Sequence, residues 1–326
     1  MKVILLSSHV CGIPVLHQLC AAGVLTGVAS IDETTPYNLP LEQAADALRV
    51  PFRRMARPDF AVELAGWISA SGADLVLVFG FRWKIPAALA GIPRFGFINI
   101  HFSLLPAFRG PDPLFWQLRS GGLGSGITLH QVDESFDTGP ILLQKELAII
   151  PGETRGMCSA RFAIETVPLV NELLKALDAG TVAARVQDGQ SGSTQRRVQE
   201  TDLAINWEEH AATDIINLVN AANPDYQGAV TVLKGQEIRI LEVTPATAAG
   251  QAKHLPGTIV LSHPDQGVFV ACLEGSYLRI NIIATRDGVI SGFKLAAMGI
   301  MPGERLSTLR TAQFGDHAKN QPNIKL

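Results

Sequence analysis

Asn99 and His101 stand two residues apart in the stretch from Gly96 to Gly110, which reads as a buried strand running into a loop bounded by Pro106 and Gly110. In a strand that spacing puts both side chains on one face. Downstream, Asp133, Glu134 and Asp137 crowd into five residues at the end of another strand, and Thr138-Gly139 closes the turn. An amide, an imidazole and a carboxylate at strand ends can together serve a reacting carbonyl. The Asn NH2 and a protonated His can both donate to an oxygen that becomes negative when the carbonyl carbon is attacked, and preorganised donors of this kind often dominate catalysis. A carboxylate beside the imidazole favours its charged form and can accept a proton from an attacking amine. No serine or cysteine nucleophile is required. The set describes direct acyl transfer with the acceptor as nucleophile.

The elements that must position these groups follow from the hydrophobic pattern. Apolar strands are expected at 2–8, 25–31, 50–53 and 73–79, alternating with helices at 13–22, 41–48 and 59–69. That alternation predicts a parallel-rich, Rossmann-like α/β sheet with helices on both faces. A helix over 111–120 should follow the 103–106 loop, with Phe115 and Trp116 in the core rather than against an acceptor. A hairpin of 126–132 and 141–149 would enclose the acidic turn and set Asp137 at the carboxyl edge of the sheet, where open α/β sheets place their ligands. A long helix over 155–177 closes a first domain, 1–180. The polar, Gly/Ser-rich stretch 181–200 reads as a linker. Beyond it, in 201–326, a helix at 211–222 precedes short strands at 230–233, 237–243, 257–261, 267–272 and 278–283, the pattern of a small β-barrel of OB-like size.

Composition narrows the classes. The chain has 326 residues, enough for two cores, with 47% hydrophobic residues and a formal charge of −3; that balance does not favour a strongly electrostatic partner such as nucleic acid. Cys11, Cys20, Cys158 and Cys272 show no metal-ligand or disulfide spacing, so no metal site is expected. The apolar run Val3 to Leu6 is too short for a signal core or a membrane span, which points to a cytoplasmic enzyme with no membrane partner. Ser7 to Gly12 after the first strand lacks the glycine-rich dinucleotide fingerprint. The glycine-rich 121–126 stretch precedes a strand, whereas a phosphate-cradling loop opens a helix, so it reads as a connection.

Asn99 through Pro106 (Asn-Ile-His-Phe-Ser-Leu-Leu-Pro), Arg109-Gly110 and Asp133 through Gly139 (Asp-Glu-Ser-Phe-Asp-Thr-Gly) together resemble the signature of the formyltransferases that use 10-formyltetrahydrofolate, most closely the methionyl-tRNA formyltransferase branch. Trp207, Asn223-Pro224 with Gly228-Ala229, and Pro256-Gly257-Thr258 are similar to the C-terminal barrel of that branch, so the likeness covers nearly the whole chain. The resemblance implies Asn99, His101 and Asp137 as the catalytic trio. It also implies a folate site lined by Ser103, Leu104, Leu105 and Pro106 and by Asp133, Glu134, Ser135, Phe136 and Asp137. Residues 79–86 occupy the place of a family loop whose backbone helps hold the pteridine ring, and would otherwise be a plain strand-to-helix turn. Arg109 would either meet an anionic acceptor group or make structural hydrogen bonds.

In the methionyl-tRNA branch, the C-terminal domain and a loop after the second strand carry basic residues that meet the tRNA. Here residues 201–326 hold ten Lys/Arg against twelve Asp/Glu, and the stretch 32–40 has two acids and no base. That sign is wrong for a phosphate-binding surface. The expected acceptor is therefore a primary amine on a small molecule, such as a nucleotide-linked amino sugar, or a carrier-bound amino acid. Methionyl-tRNA is the first alternative and a non-catalytic folate- or carrier-binding module the second. The intact trio argues against the binding module.

Overall fold

The chain opens with Val3–Ser7, five residues that are buried throughout and form strand β1. Helix α1, Ile13–Ala21, has a proline in its first turn, where the missing N–H costs nothing, and leads to β2, Leu25–Ile31. The structure, a computed structural model, describes residues 1–122, 124–188, 192–247 and 254–309. Leu123 of the glycine-rich connection, residues 189–191 of the expected linker and residues 248–253 and 310–326 of the expected C-terminal domain lie outside the described residues.

The first sheet continues through α2 (Leu39–Ala47), β3 (Phe52–Met55), α3 (Phe60–Ser71), β4 (Leu75–Phe79) and β5 (Phe97–His101) to the hairpin β6 (Gly126–Gln131) and β7 (Ile141–Glu146). Its strand order is β3-β2-β1-β4-β5-β6-β7. The first five strands run parallel, and β6 and β7 extend the sheet by antiparallel pairing on β5. The fold is thus the expected parallel-rich, Rossmann-like sheet. The strand expected at 50–53 begins two residues later, because Pro51 has no N–H to give to a ladder and instead accepts from the Val28 amide through its carbonyl. The order reverses between β1 and β4, so the carboxyl ends of the central strands face a switch-point crevice.

Register settles which side chains share a face. Asn99 lies directly opposite His130, and His101 opposite Thr128, across the β5/β6 ladder. Opposed residues on antiparallel strands project to the same side. Ile98 and Ile100, with Ile127 and Leu129, fill the other side and are buried.

Residues 1–113, 124–149 and 159–188 with 192–196 form one compact unit; residues 114–122, 150–158 and the described residues from Arg197 onward form a second. The long helix α5, Arg155–Ala179, follows the hairpin. In the second unit α4 (Pro113–Arg119) contributes Phe115, which is fully buried and stacks edge-on with Trp116 and Tyr226, the core placement expected from its size, whereas Trp116, also expected in the core, is half-buried. After α6 (Ala212–Ala222), strands β8 (Ala229–Leu233), β9 (Gln236–Ala246), β10 (Ile259–His263), β11 (Gly267–Ala271) and β12 (Tyr277–Thr285) form an antiparallel sheet in the order β10-β11-β12-β9-β8. Residues 305–307 join its two edges: Arg305 bridges to Thr258 and Ser307 to Val232. This bridging removes the open edges in the way a barrel does.

The motif residues of the second unit build this closure. Trp207 is buried and donates its indole N–H to Thr231 Oγ1 at 2.9 Å. Gly257, at φ +84°, lies where an added Cβ would sit 2.4 Å from the Leu306 carbonyl. Strand β13 (Gly288–Ser291) and helix α7 (Gly292–Ala297), capped by the Ser291 hydroxyl, were not expected from sequence. Four residues, three of them exposed, carry too short a period to register as a strand.

Candidate active site

Asn99 and His101 leave β5 at the carboxyl edge of the sheet, and Asp137 is brought to them by the turn after β6. Asn99 Nδ2 donates to Asp137 Oδ1 at 3.0 Å. His101 Nδ1 lies 3.6 Å from Asp137 Oδ2, which also accepts from the Gly110 amide at 2.8 Å. The three side chains placed together by sequence are therefore neighbours. A fourth joins them: His130 Nε2 is 3.3 Å from Asp137 Oδ1 and 3.1 Å from Asn99 Nδ2. Sequence reading passed over His130. The alternation Ile127-Thr128-Leu129-His130 was the available signal, since it puts His130 on the polar face opposite Asn99.

The hydrogen bonds assign tautomers. A main-chain carbonyl only accepts, so the contact of His101 Nε2 with the Phe108 oxygen at 2.8 Å places a proton on Nε2. When His101 is neutral, its Nδ1 is then the basic nitrogen and faces Asp137. His130 Nδ1 likewise meets the Gln131 carbonyl at 2.8 Å and carries a proton, so neutral His130 accepts from Asn99 through Nε2. Both N–H bonds of Asn99 are then directed at Asp137 and His130. Asn99 has to release one of them before it can serve a developing oxygen charge.

Burial sets the protonation balance. His101 is pushed below the ordinary imidazole value chiefly by desolvation, against the opposing pull of the Asp137 charge and with a further push from His130. The expectation of a carboxylate-stabilised imidazolium at rest is corrected here: at 6% exposure the cost of a buried cation exceeds what Asp137 returns. Asp137 moves the other way. Burial alone would raise it, but the charge of His101, cationic in the acid range where a carboxylate titrates, together with His130 and the Gly110 amide, holds it well below the usual carboxylate range, so it is ionised.

The flanking loops are built from within. Ser103 is buried and donates to the Ala107 carbonyl at 2.7 Å, and Leu105 is buried as well. Only their main chain can meet a ligand. Leu104 and Pro106 are half-buried, with Leu104 seated over Gly126, where an added Cβ would lie 2.5 Å from its Cδ2. Thr128 Oγ1 supports this loop, accepting from the Leu105 amide at 3.2 Å and donating to the Ser103 carbonyl at 2.6 Å. In the acidic turn, Asp133 is spent on Thr138 Oγ1 (2.7 Å) and the Ser135 amide (3.1 Å), which makes it the turn's organiser. Glu134, Ser135 and Phe136 are exposed. Glu134 lines a cavity of about 420 Å³ together with Lys84, Ile85, Pro86 and Ala87, and the Lys84 ammonium lies 5.9 Å from the Phe136 ring. Its apolar wall thus carries one carboxylate and one ammonium at its rim.

Comparison with known proteins agrees with this architecture. Residues 33–173 match the Formyl transferase family, and residues 197–294 match the Formyl transferase C-terminal domain. The chain is 34% identical over 251 residues to a methionyl-tRNA formyltransferase of Burkholderia multivorans, covering 76% of this chain and 75% of that protein. It is 28% identical over 313 residues to the one from Sorangium cellulosum, covering 94% and 97%. Among solved structures it is similar to HypX from Aquifex aeolicus in complex with tetrahydrofolic acid (TM-score 0.63, 17% identity, 95% of this chain), of which it spans about half, 51%. It is also similar to an N-formyltransferase from Helicobacter canadensis in complex with folinic acid and dTDP-3-aminofucose (TM-score 0.62, 15% identity, 86% of this chain and 98% of that one). At those identities the structures share the fold alone. Sheet, C-terminal β domain and matched segments together define a one-carbon group transferase. The chain belongs to the formyl transferase family. It is an N-formyltransferase whose formyl donor is 10-formyltetrahydrofolate. Among the described residues no helix is long and apolar enough to cross a membrane.

Proposed function

We propose that this chain transfers the formyl group of 10-formyltetrahydrofolate to a primary amine, and that the acceptor is the amine of methionyl-tRNA. The acceptor follows the relatives, which are methionyl-tRNA formyltransferases and align over both parts of the chain. The observation that carries the transfer reading is the cluster of buried His101 and His130 with half-buried Asn99 and ionised Asp137 at the carboxyl edge of the sheet.

Bound there, 10-formyltetrahydrofolate supplies an electrophilic formyl carbon. The main chain of 103–106, with the turn 133–137 and the Lys84–Glu134 cavity, holds it. Neutral His101 takes the acceptor's proton at Nδ1 and Asp137 stabilises the cation so formed; as the bond from the formyl carbon to N10 breaks, His101 gives that proton to N10 and tetrahydrofolate leaves. Asn99 turns the N–H that rests on His130 Nε2 toward the developing oxygen charge. His101→Ala or Asp137→Ala should each lower turnover by at least about 10²-fold; near-normal rates in either variant would remove that residue from the scheme.

A small-molecule amine, placed first on sequence grounds, becomes the second reading. It is favoured by a specific observation: the formal −2 of residues 201–326 and the acidic stretch after β2, where the Glu33 carboxylate lies 3.9 Å from Arg82. The deciding experiment follows tetrahydrofolate release with charged methionyl-tRNA and, separately, with nucleotide-linked amino sugars and free amino acids. Turnover with the tRNA alone is the expected result. Turnover with a small amine alone would transfer the assignment to the second reading.

A further inference from the structure

Gln187 sits behind Asp137 rather than facing the reacting groups, and its amide is fully used. Its Oε1 accepts from Arg109 Nε at 3.0 Å and Nη2 at 2.8 Å. Its Nε2 donates to the Asp137 carbonyl at 2.9 Å and to the Gly139 carbonyl at 2.7 Å. Both side chains are buried. Asp137 has φ +56°, a left-handed conformation that an L residue with a Cβ keeps only when its surroundings impose it. Gln187 supplies two of the contacts that impose it.

The clamp is itself delivered by main-chain pairing. Arg185 exchanges both 2.8 Å hydrogen bonds with Ile141, two residues before Gln187. Arg109 is pinned from its own backbone: its amide donates to the Ser193 carbonyl and its carbonyl accepts from the Gln195 amide, each at 2.8 Å. Two glycines permit the approach. An added Cβ on Gly110 would lie 2.4 Å from the Gln195 oxygen, and one on Gly192 would lie 2.8 Å from Arg109 Nη1 and from the Pro106 carbonyl.

We infer that Gln187 is a positioning residue for formyl transfer: it carries the hold of Arg109 onto the carbonyls of Asp137 and Gly139, and so aims the Asp137 carboxylate at His101, Asn99 and the Gly110 amide. This rests on the catalytic reading of Asp137 given above. It assigns Arg109 to the turn rather than to an anionic acceptor. Only an amide fits, since one end must accept from a guanidinium and the other must donate to two carbonyls.

Gln187→Glu separates the two ends, because it keeps an acceptor for Arg109 but sets an oxygen against two carbonyls. The variant is compared with Asp137→Asn and with the double variant, using 10-formyltetrahydrofolate and the acceptor that the wild type turns over. Gln187→Glu is expected to lose about 10- to 100-fold in kcat, the scale of a reacting group displaced by about an ångström, while its donor KM stays near wild type. The double variant should be no slower than Asp137→Asn, because the two act as a unit. A readout independent of any acceptor is the Gly110 amide in protein labelled with 15N-glycine. Its exchange should quicken by about tenfold in Gln187→Glu as the hydrogen bond to Asp137 loosens; a role confined to holding the chain in place would leave that amide protected. If glutamate prevents folding, Gln187→Met is measured in the same way. Wild-type kcat with a protected Gly110 amide, or losses that simply multiply in the double variant, would overturn the inference while a strongly slowed Asp137→Asn upholds the catalytic reading. Full turnover of Asp137→Asn would instead sink the reading of Asp137 and the positioning role with it.

Discussion

His101 is where the geometry and the simplest chemistry diverge. A histidine next to a carboxylate is commonly read as an imidazolium, but burial acts on the cation more strongly than Asp137 does. A neutral His101 with its proton on Nε2 acts as a base through Nδ1, so activity requires the deprotonated form. The acid limb of kcat/KM should therefore lie below the ordinary imidazole value of about 6.5. Asp137 is the largest influence raising His101, so Asp137→Asn should push the limb of its residual activity lower still. A rate that instead declines as pH rises through the neutral range would mean that the imidazolium is the working form, an oxygen-stabilising donor. The same shift has a stability consequence with a definite sign. A histidine whose folded value is depressed contributes stability that is full above the unfolded value and is lost as pH falls below it. Acid should therefore lower the unfolding midpoint below about pH 6.5, and His101→Gln should flatten that slope.

At the scale of elements, the turn from Asp133 to Gly139 shows what a sequence reveals and what it withholds. The parallel strands, the hairpin and the meeting of Asn99, His101 and Asp137 were legible because each rests on local periodicity: two-residue spacing in β5, and an acidic turn between two strand patterns. His130 was legible in principle, but only once the β5/β6 register was known, since its partner Asn99 is 31 residues away. Gln187 was not legible at all. It lies in a polar stretch without period, and only the bridge of Arg185 to Ile141 brings it to the turn. The inward orientation of Ser103 and the use of Asp133 inside its own turn likewise depend on contacts that motif reading does not carry. Gly139 tests the rigidity of this element. An added Cβ there would lie 1.9 Å from the Gln131 carbonyl, a backbone atom that cannot swing aside. Gly139→Ala should therefore force the turn open, lowering stability by roughly 2 kcal/mol or more and lowering kcat with it. A crystal structure of the variant with the Asp137 carboxylate unmoved would contradict this.

At the scale of the whole chain, composition placed a single border at the polar stretch 181–200, yet residues 114–122 and 150–158 cluster with the residues from Arg197 onward. The reason lies in particular contacts within that unit. Phe115 of α4 is fully buried against Tyr226, the Arg155 guanidinium forms an ion pair with Asp225, and Gly156 lies where an added Cβ would touch Pro224. A chain ended after residue 196 keeps Phe115 and Arg155 but removes Tyr226, Asp225 and Pro224 from beside them. The aromatic surface so exposed forfeits about 1.5–3 kcal/mol, and an arginine stripped of its carboxylate adds a further penalty where it stays desolvated. Against a net stability of order 5–15 kcal/mol for a domain, those losses are large. Residues 1–196 alone should therefore melt well below the full chain and associate through the uncovered face of α4. Phe115→Ser in the same fragment should reduce that association, because it removes the apolar surface without restoring the partner. Differential scanning calorimetry and sedimentation velocity on the two fragments decide the point: a monomeric 1–196 with a sharp, high-temperature transition would show that α4 needs neither Tyr226 nor the ion pair.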